Sequence, residues 1–188
     1  MDSEFCVITN IYLEHQAIIG PEREDIAREK AGIIRRPGCS VVTGIDPEDV
    51  EVRRPIESQV SRVGAQRPVF VRERFPAASF SELNMQIAAC VLDEMGERGV
   101  VAKRSGQVLH GGMISAETLA KATAALKGRM EPFVVDGVHV LVDGAHVAES
   151  VAAVMEEAAR KFGPAPQILL IATGSDKDVG KIASMAAS

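Results

Sequence analysis

Tryptophan is absent from this 188-residue sequence and tyrosine occurs once. With aromatics at only 4%, apolar mass comes largely from alanine and valine, which suits helices packed on a mostly parallel sheet. No apolar run approaches the ~20 residues needed to cross a bilayer, so a spanning helix and a membrane role are excluded. The start, Met1-Asp2-Ser3-Glu4, is acidic and lacks the basic opening of a signal or transit peptide. Net charge is -5 with basic residues scattered, so no nucleic-acid footprint is present. The three cysteines, Cys6, Cys39 and Cys90, form no CxxC pair for zinc or redox work. Each lies in or beside an apolar stretch, where a free thiol behaves as a small hydrophobe. A soluble protein of a reducing, cytoplasmic compartment is expected.

A phosphate-binding loop is also missing. Gly174-Ser175-Asp176-Lys177-Asp178-Val179-Gly180-Lys181 imitates one, with one residue too many between its glycines. Ile182 cannot ligate magnesium as Ser or Thr would, and Asp176 and Asp178 would repel phosphates.

What is present alternates. The β-branched run from Cys6 to Ile11 reads as a buried strand. Pro21 opens a helix whose first turn holds Glu22, Glu24 and Asp25, where acids suit the positive end of the dipole. Ser40 to Thr43 and Pro68 to Val71 read as strands, Pro47 to Val63 and Ser81 to Met95 as helices. Such alternation predicts an α/β fold with a parallel sheet. Gly96 to Gly112 loses all periodicity and reads as loop, and Ser115 is placed to cap a helix reaching Leu126. Beyond Gly128, Phe133 to Val135 and Val138 to Val142 flank Asp136-Gly137, a hairpin signal. A helix over Ala148 to Phe162, a buried strand over Gln167 to Ala172 and a last helix near Asp178 complete the pattern. A domain boundary near Gly128 is expected, dividing the chain into 1–127 and 128–188. Sixty residues are few for a complete α/β unit, so the second part is read as truncated.

Two segments combine residues capable of chemistry. In the first, His15 follows the first strand, at the end where ligands gather in open α/β sheets. Lys30 lies on the next helix within Arg28-Glu29-Lys30. Taken alone, both read as wet surface. In the second, Gly128-Arg129-Met130-Glu131 precedes the hairpin and Asp143-Gly144-Ala145-His146 follows it. A strand-end carboxylate at Asp143, expected to be exposed, can accept both hydroxyls of a ribose, while free amides at a helix start attract phosphate. The plain alternative is an Asp-Gly turn and an Asp cap.

Ile8-Thr9-Asn10-Ile11, His15, Gly20, Ile26-Ala27 and Glu29-Lys30-Ala31-Gly32-Ile33 resemble the central-domain signature of the dihydrofolate synthase/folylpolyglutamate synthase family, within the wider Mur ligases. Glu14 stands where that family has Asp, and Gln16 where it usually has Thr. Gly128-Arg129-x-Glu131 with Asp143-Gly144-Ala145-His146 resembles the same family's linker and C-terminal nucleotide signature. Val147 replaces the asparagine of most bacterial members. The run Ser175 to Asp178 resembles the loop that follows.

The resemblance implies the end of a Mur-ligase-like central ATPase domain joined to the start of a Rossmann-like C-terminal domain. His15 is implied as a magnesium ligand and Lys30 as a carbamylated lysine that supports the metal. A carbamate turns the cation into a two-oxygen anion, which explains how a lysine can serve magnesium. Asn84, Arg129, Asp143 and His146 are implied as ATP contacts, although the His and Gln that usually precede the asparagine are missing. ATP and magnesium are the implied cofactors; dihydropteroate or folate and L-glutamate the implied substrates. The complete protein is expected to be a monomer. The family's phosphate loop and acidic metal ligand lie upstream of this signature, so the chain is expected to be an inactive fragment. Two other readings stay open: a cell-wall Mur-type amino-acid ligase, and a non-catalytic remnant or interaction module of the same fold.

Overall fold

The computed structural model describes residues 2–76, 79–115, 117–118, 121–122, 126–163, 168–174 and 178–186. They divide into two compact units, Met1–Ser115 and Ala116–Ser188, a break earlier in the chain than Gly128. The helix expected over Ser115 to Leu126 and the run Ser175 to Asp178 lie largely outside the described residues.

The first unit is built on a parallel sheet of β1 (Phe5–Ile8), β2 (Ser40–Thr43) and β3 (Val69–Phe70), in that order. Phe5 lies opposite Ser40, and Val42 opposite Val69. Between the strands run α1 (Gln16–Ile19), α2 (Arg23–Ala31) and α3 (Val50–Val63). After β3 come α4 (Val71–Arg74), α5 (Phe80–Glu97) and a 3-10 turn at Gly111–Met113. All four residues of β2 are buried, because helices cover both faces of the sheet. Alternation along the strand sends Val41 into one core with Ile26, Ile34 and Ile56. Val42 faces the other way, into a core with Val71, Leu83 and Ile87 from α4 and α5. Ser79 caps α5: its hydroxyl accepts the Glu82 N–H at 3.3 Å, and the Glu82 carboxylate accepts the Ser79 N–H at 2.8 Å. The cap settles the start of α5 and puts Asn84 in its second turn. The stretch read as featureless after Gly96 contains one antiparallel bridge, Val101 to Val108.

In the second unit β4 (Glu131–Val135) and β5 (Val138–Val142) form the expected antiparallel hairpin. Asp136 and Gly137 take φ of 51° and 80°, the left-handed pair that a type I′ turn demands. Helix α6 (Ala148–Phe162) has the expected bounds, and α7 (Val179–Ala186) packs on it over Ala148, Val151 and Ile182.

Over its described residues, 168–172, the buried strand expected from Gln167 to Ala172 is not formed. Residues 168–174 carry no regular structure, and Ile168 and Leu170 are 91% and 90% exposed. A strand needs a neighbour to bond its backbone, and among the described residues β5 pairs only with β4. Among the described residues no helix is long and apolar enough to cross a membrane.

Candidate functional site

Buried Thr43 ties the carboxyl ends of β1 and β2 together. Its hydroxyl donates to the Ile8 carbonyl at 2.9 Å and accepts the Ile45 N–H at 3.2 Å. Past this clamp the two strands splay into loops, and a cavity of about 260 Å³ opens between them. Thr9, Asn10, Ile11 and Tyr12 line it from β1, and Gly44, Ile45 and Asp46 from β2. Phe80, Leu83 and Asn84 enter from α5, Arg72 from α4 and Arg23 from α2. Gly44 belongs here for a steric reason: a Cβ would lie 2.5 Å from both the Thr9 carbonyl and the Ile87 side chain. This is where a parallel sheet offers a ligand site.

Asn84 therefore lines the cavity, and its amide has no protein partner among the described residues. Two arginines share the cavity on different terms. Arg23 pairs with Asp49 at 2.5 Å and Glu51 at 3.5 Å. Arg72 spends its Nε–H on the Gly44 carbonyl at 3.1 Å. Neither was singled out in the sequence. The available signal for Arg72 was its position directly after β3, at the same sheet edge.

Lys30 reaches from α2 to the end of β1, where its Nζ donates to the Asn10 carbonyl at 3.2 Å. It is half-buried at the carboxyl-end rim, as the motif implies. His15 is exposed in the same β1–α2 connection, in a left-handed conformation (φ 55°). These residues do not fit magnesium as they stand. Lys30 is engaged as a cationic donor, His15 offers a nitrogen to a cation that prefers oxygen, and the described residues contain no cluster of three or more His, Cys, Asp or Glu side chains suited to a metal.

In the second unit the two halves of the other motif meet. Asp143 Oδ2 accepts the Met130 N–H at 2.9 Å and Oδ1 the Ala145 N–H at 2.7 Å, with Arg129 Nη1 3.9 Å from Oδ1. The Asp143 side chain is only 12% exposed, against the expectation of an open strand-end carboxylate. The cause is local: its oxygens are drawn inward by amides on both sides of the hairpin. Arg129 is 61% exposed, and a Cβ at Gly144 would lie 3.1 Å from its Nη1, so the glycine leaves the guanidinium room. His146 is exposed, with Nδ1 3.0 Å from the Gly144 carbonyl. Val147, where the resemblance implies asparagine, is buried at the start of α6. Glu131 accepts the Gly128 N–H at 2.8 Å and pairs with Lys127 at 2.9 Å, and these contacts hold its carboxyl below the usual range.

Proteins similar to this chain are named as dihydrofolate synthase/folylpolyglutamate synthases. The dihydrofolate synthase/folylpolyglutamate synthase of Buchnera aphidicola is 44% identical over 46 residues, 24% of this chain and 11% of that protein. In fold, a folylpolyglutamate synthase solved as a complex with AMPPCP and folate superposes with TM-score 0.62 at 19% identity. The match covers 97% of this chain and 47% of that one. E. coli FolC, solved with DHPP and ADP, gives TM-score 0.60 at 19% identity over 98% of this chain and 45% of that one. No family model matches the chain. The family resemblance is thus borne out over a short stretch of sequence and in the fold, and the chain spans under half the length of these solved structures.

Proposed function

We propose that this chain is the nucleotide-handling part of an ATP-dependent ligase that joins L-glutamate to a folate or dihydropteroate carboxylate. The observation carrying this reading is the cavity at the carboxyl ends of β1 and β2, which places the unpartnered Asn84 amide beside the Thr9-Asn10-Ile11 motif. Support comes from the similar proteins, whose solved forms hold AMPPCP with folate and ADP with DHPP.

In this reading the first-unit cavity receives the base of ATP, with Asn84 bonding its edge. The second unit, taken by itself, carries Arg129, Asp143 and His146, which the family resemblance implies as nucleotide contacts. Asp143 already accepts two amides, yet a carboxylate has about four lone-pair sites, so ribose hydroxyls still find acceptors. The substrate carboxylate oxygen attacks the γ-phosphorus and ADP departs, leaving an acyl phosphate. The glutamate amine then attacks the acyl carbon, loses a proton and expels phosphate, forming the amide. Lys30, held at Asn10 as an ammonium, becomes a carbamate only by losing a proton and adding carbon dioxide. No step is assigned to magnesium, since the residues present do not build its site.

A non-catalytic remnant or interaction module of the same fold is the second reading. Titration of the chain with fluorescent ATP, beside a dihydropteroate- and glutamate-dependent ADP-release assay, tests both. Saturable ATP binding that Asn84→Ala weakens, without turnover, is expected. Absence of ATP binding overturns the nucleotide role, and measurable turnover overturns the expectation that these residues are inactive alone.

A further inference from the structure

Arg72 is the cavity residue that the ligase reading leaves without a task. Its guanidinium is oriented at one corner only, by the bond from Nε to the Gly44 carbonyl. That carbonyl belongs to Gly44, where any side chain would collide at 2.5 Å with the Thr9 carbonyl and the Ile87 side chain. Among the described residues, its two terminal nitrogens have no protein partner. The other cavity guanidinium, Arg23, is spent on Asp49 and Glu51. Asp46 accepts the Glu48 N–H at 2.9 Å in its own turn. Arg72 is therefore the cavity cation with donors to spare.

The walls say what those donors meet. Tyr12 and Phe80 line the cavity together with the apolar residues Ile11, Ile45, Val52 and Leu83. At about 260 Å³ the space is below the roughly 300–1,000 Å³ of sites that enclose a whole small molecule, and fits a flat heterocycle. An amide donates and accepts, the pattern of the N6 and N7 edge of adenine. A guanidinium only donates, the complement of the O6 and N7 pair of guanine.

We propose that Arg72 is a base-reading residue of this cavity, and that through it the chain accepts guanine nucleotides beside adenine nucleotides. The proposal rests on the nucleotide reading above and adds to it a residue and a specificity. Asn84 alone favours adenine; the fixed guanidinium offers guanine a paired contact that adenine, with a donor at position 6, cannot match.

Dissociation constants for fluorescent ATP and GTP, measured on the unaltered chain and on Arg72→Gln, Arg72→Lys and Asn84→Ala, test this. Circular dichroism confirms folding, and Arg72→Lys serves if Arg72→Gln does not fold. The unaltered chain should bind the two nucleotides within about tenfold of each other. Arg72→Gln should weaken GTP by roughly tenfold or more without weakening ATP, since a good bidentate pair discriminates bases on that scale and an amide suits the adenine edge. Arg72→Lys should weaken GTP similarly, because a point charge lacks the paired geometry. Equal losses of ATP and GTP in Arg72→Gln, restored in Arg72→Lys, would assign Arg72 to phosphate and overturn the proposal. ATP binding that depends on Asn84, with a GTP/ATP ratio indifferent to Arg72, overturns the proposal and leaves the ligase reading standing. Binding of neither nucleotide overturns both.

Discussion

The two strand systems of this chain were equally legible as patterns, yet they came to opposite environments. In the first unit β2 is buried along its whole length between two helical layers. In the second, the hairpin is well formed while Phe133, Val134, Val135, Val138, Val140 and Val142 are all exposed. The hairpin needs only its Asp136-Gly137 turn and neighbouring backbone. Burial of a strand needs partners from distant sequence. The contrast separates what a turn can do locally from what a core must recruit.

The largest effect expected from this contrast is in the first core. Ile56 is fully buried, and Ile56→Ala should destabilise the first unit by roughly 2–5 kcal/mol in urea unfolding. A loss comparable to that of a surface change would mean the first core is not packed as described.

Asp143→Ala comes next. It removes the acceptor of the part-buried Met130 and Ala145 amides, costing roughly 1–3 kcal/mol in all. The melting temperature of the second unit should fall. ATP affinity should also drop, by about tenfold if one hydrogen bond worth about 1.4 kcal/mol is lost. A lower melting temperature with unchanged ATP affinity reduces Asp143 to a cap.

The third effect is a pH dependence confined to the first unit. Burial, reinforced by the neighbouring Cys39, pushes the Cys6 thiol up to about 11 from 9.0. The folded state thus holds its proton more tightly than the unfolded chain. The associated stability is fully present below pH 9 and is lost as pH rises toward about 11. Urea midpoints across this range should fall for the native chain and fall less for Cys6→Ala. Equal slopes would remove Cys6 as the cause.

The smallest effect is at the hairpin. Val134 is 66% exposed, so Val134→Ala should change stability by no more than about 0.5 kcal/mol. A larger loss would reveal a packed surface over β4.

Local signals decided much of this molecule before any tertiary contact. The turn at Asp136-Gly137, the bounds of α6 and the strand Ser40–Thr43 are written in short-range chemistry: left-handed turn residues, helical periodicity, a β-branched run. Among the motif residues, Lys30 reaches the Asn10 carbonyl and Arg129 lies 3.9 Å from Asp143. Three things were not legible. Gln167 to Ala172 reads as a buried strand, but hydrophobicity cannot say whether a neighbouring strand is there to receive it. Asp143 reads as exposed, because nothing in its own segment reveals that Met130, across the hairpin, turns an amide toward it. Arg72 belongs to no motif in the sequence. Only when the parallel sheet brings the ends of β1 and β2 together with α5 does its guanidinium come to line a cavity with Asn84. That convergence of separate segments is a property of the fold, not of any window of sequence.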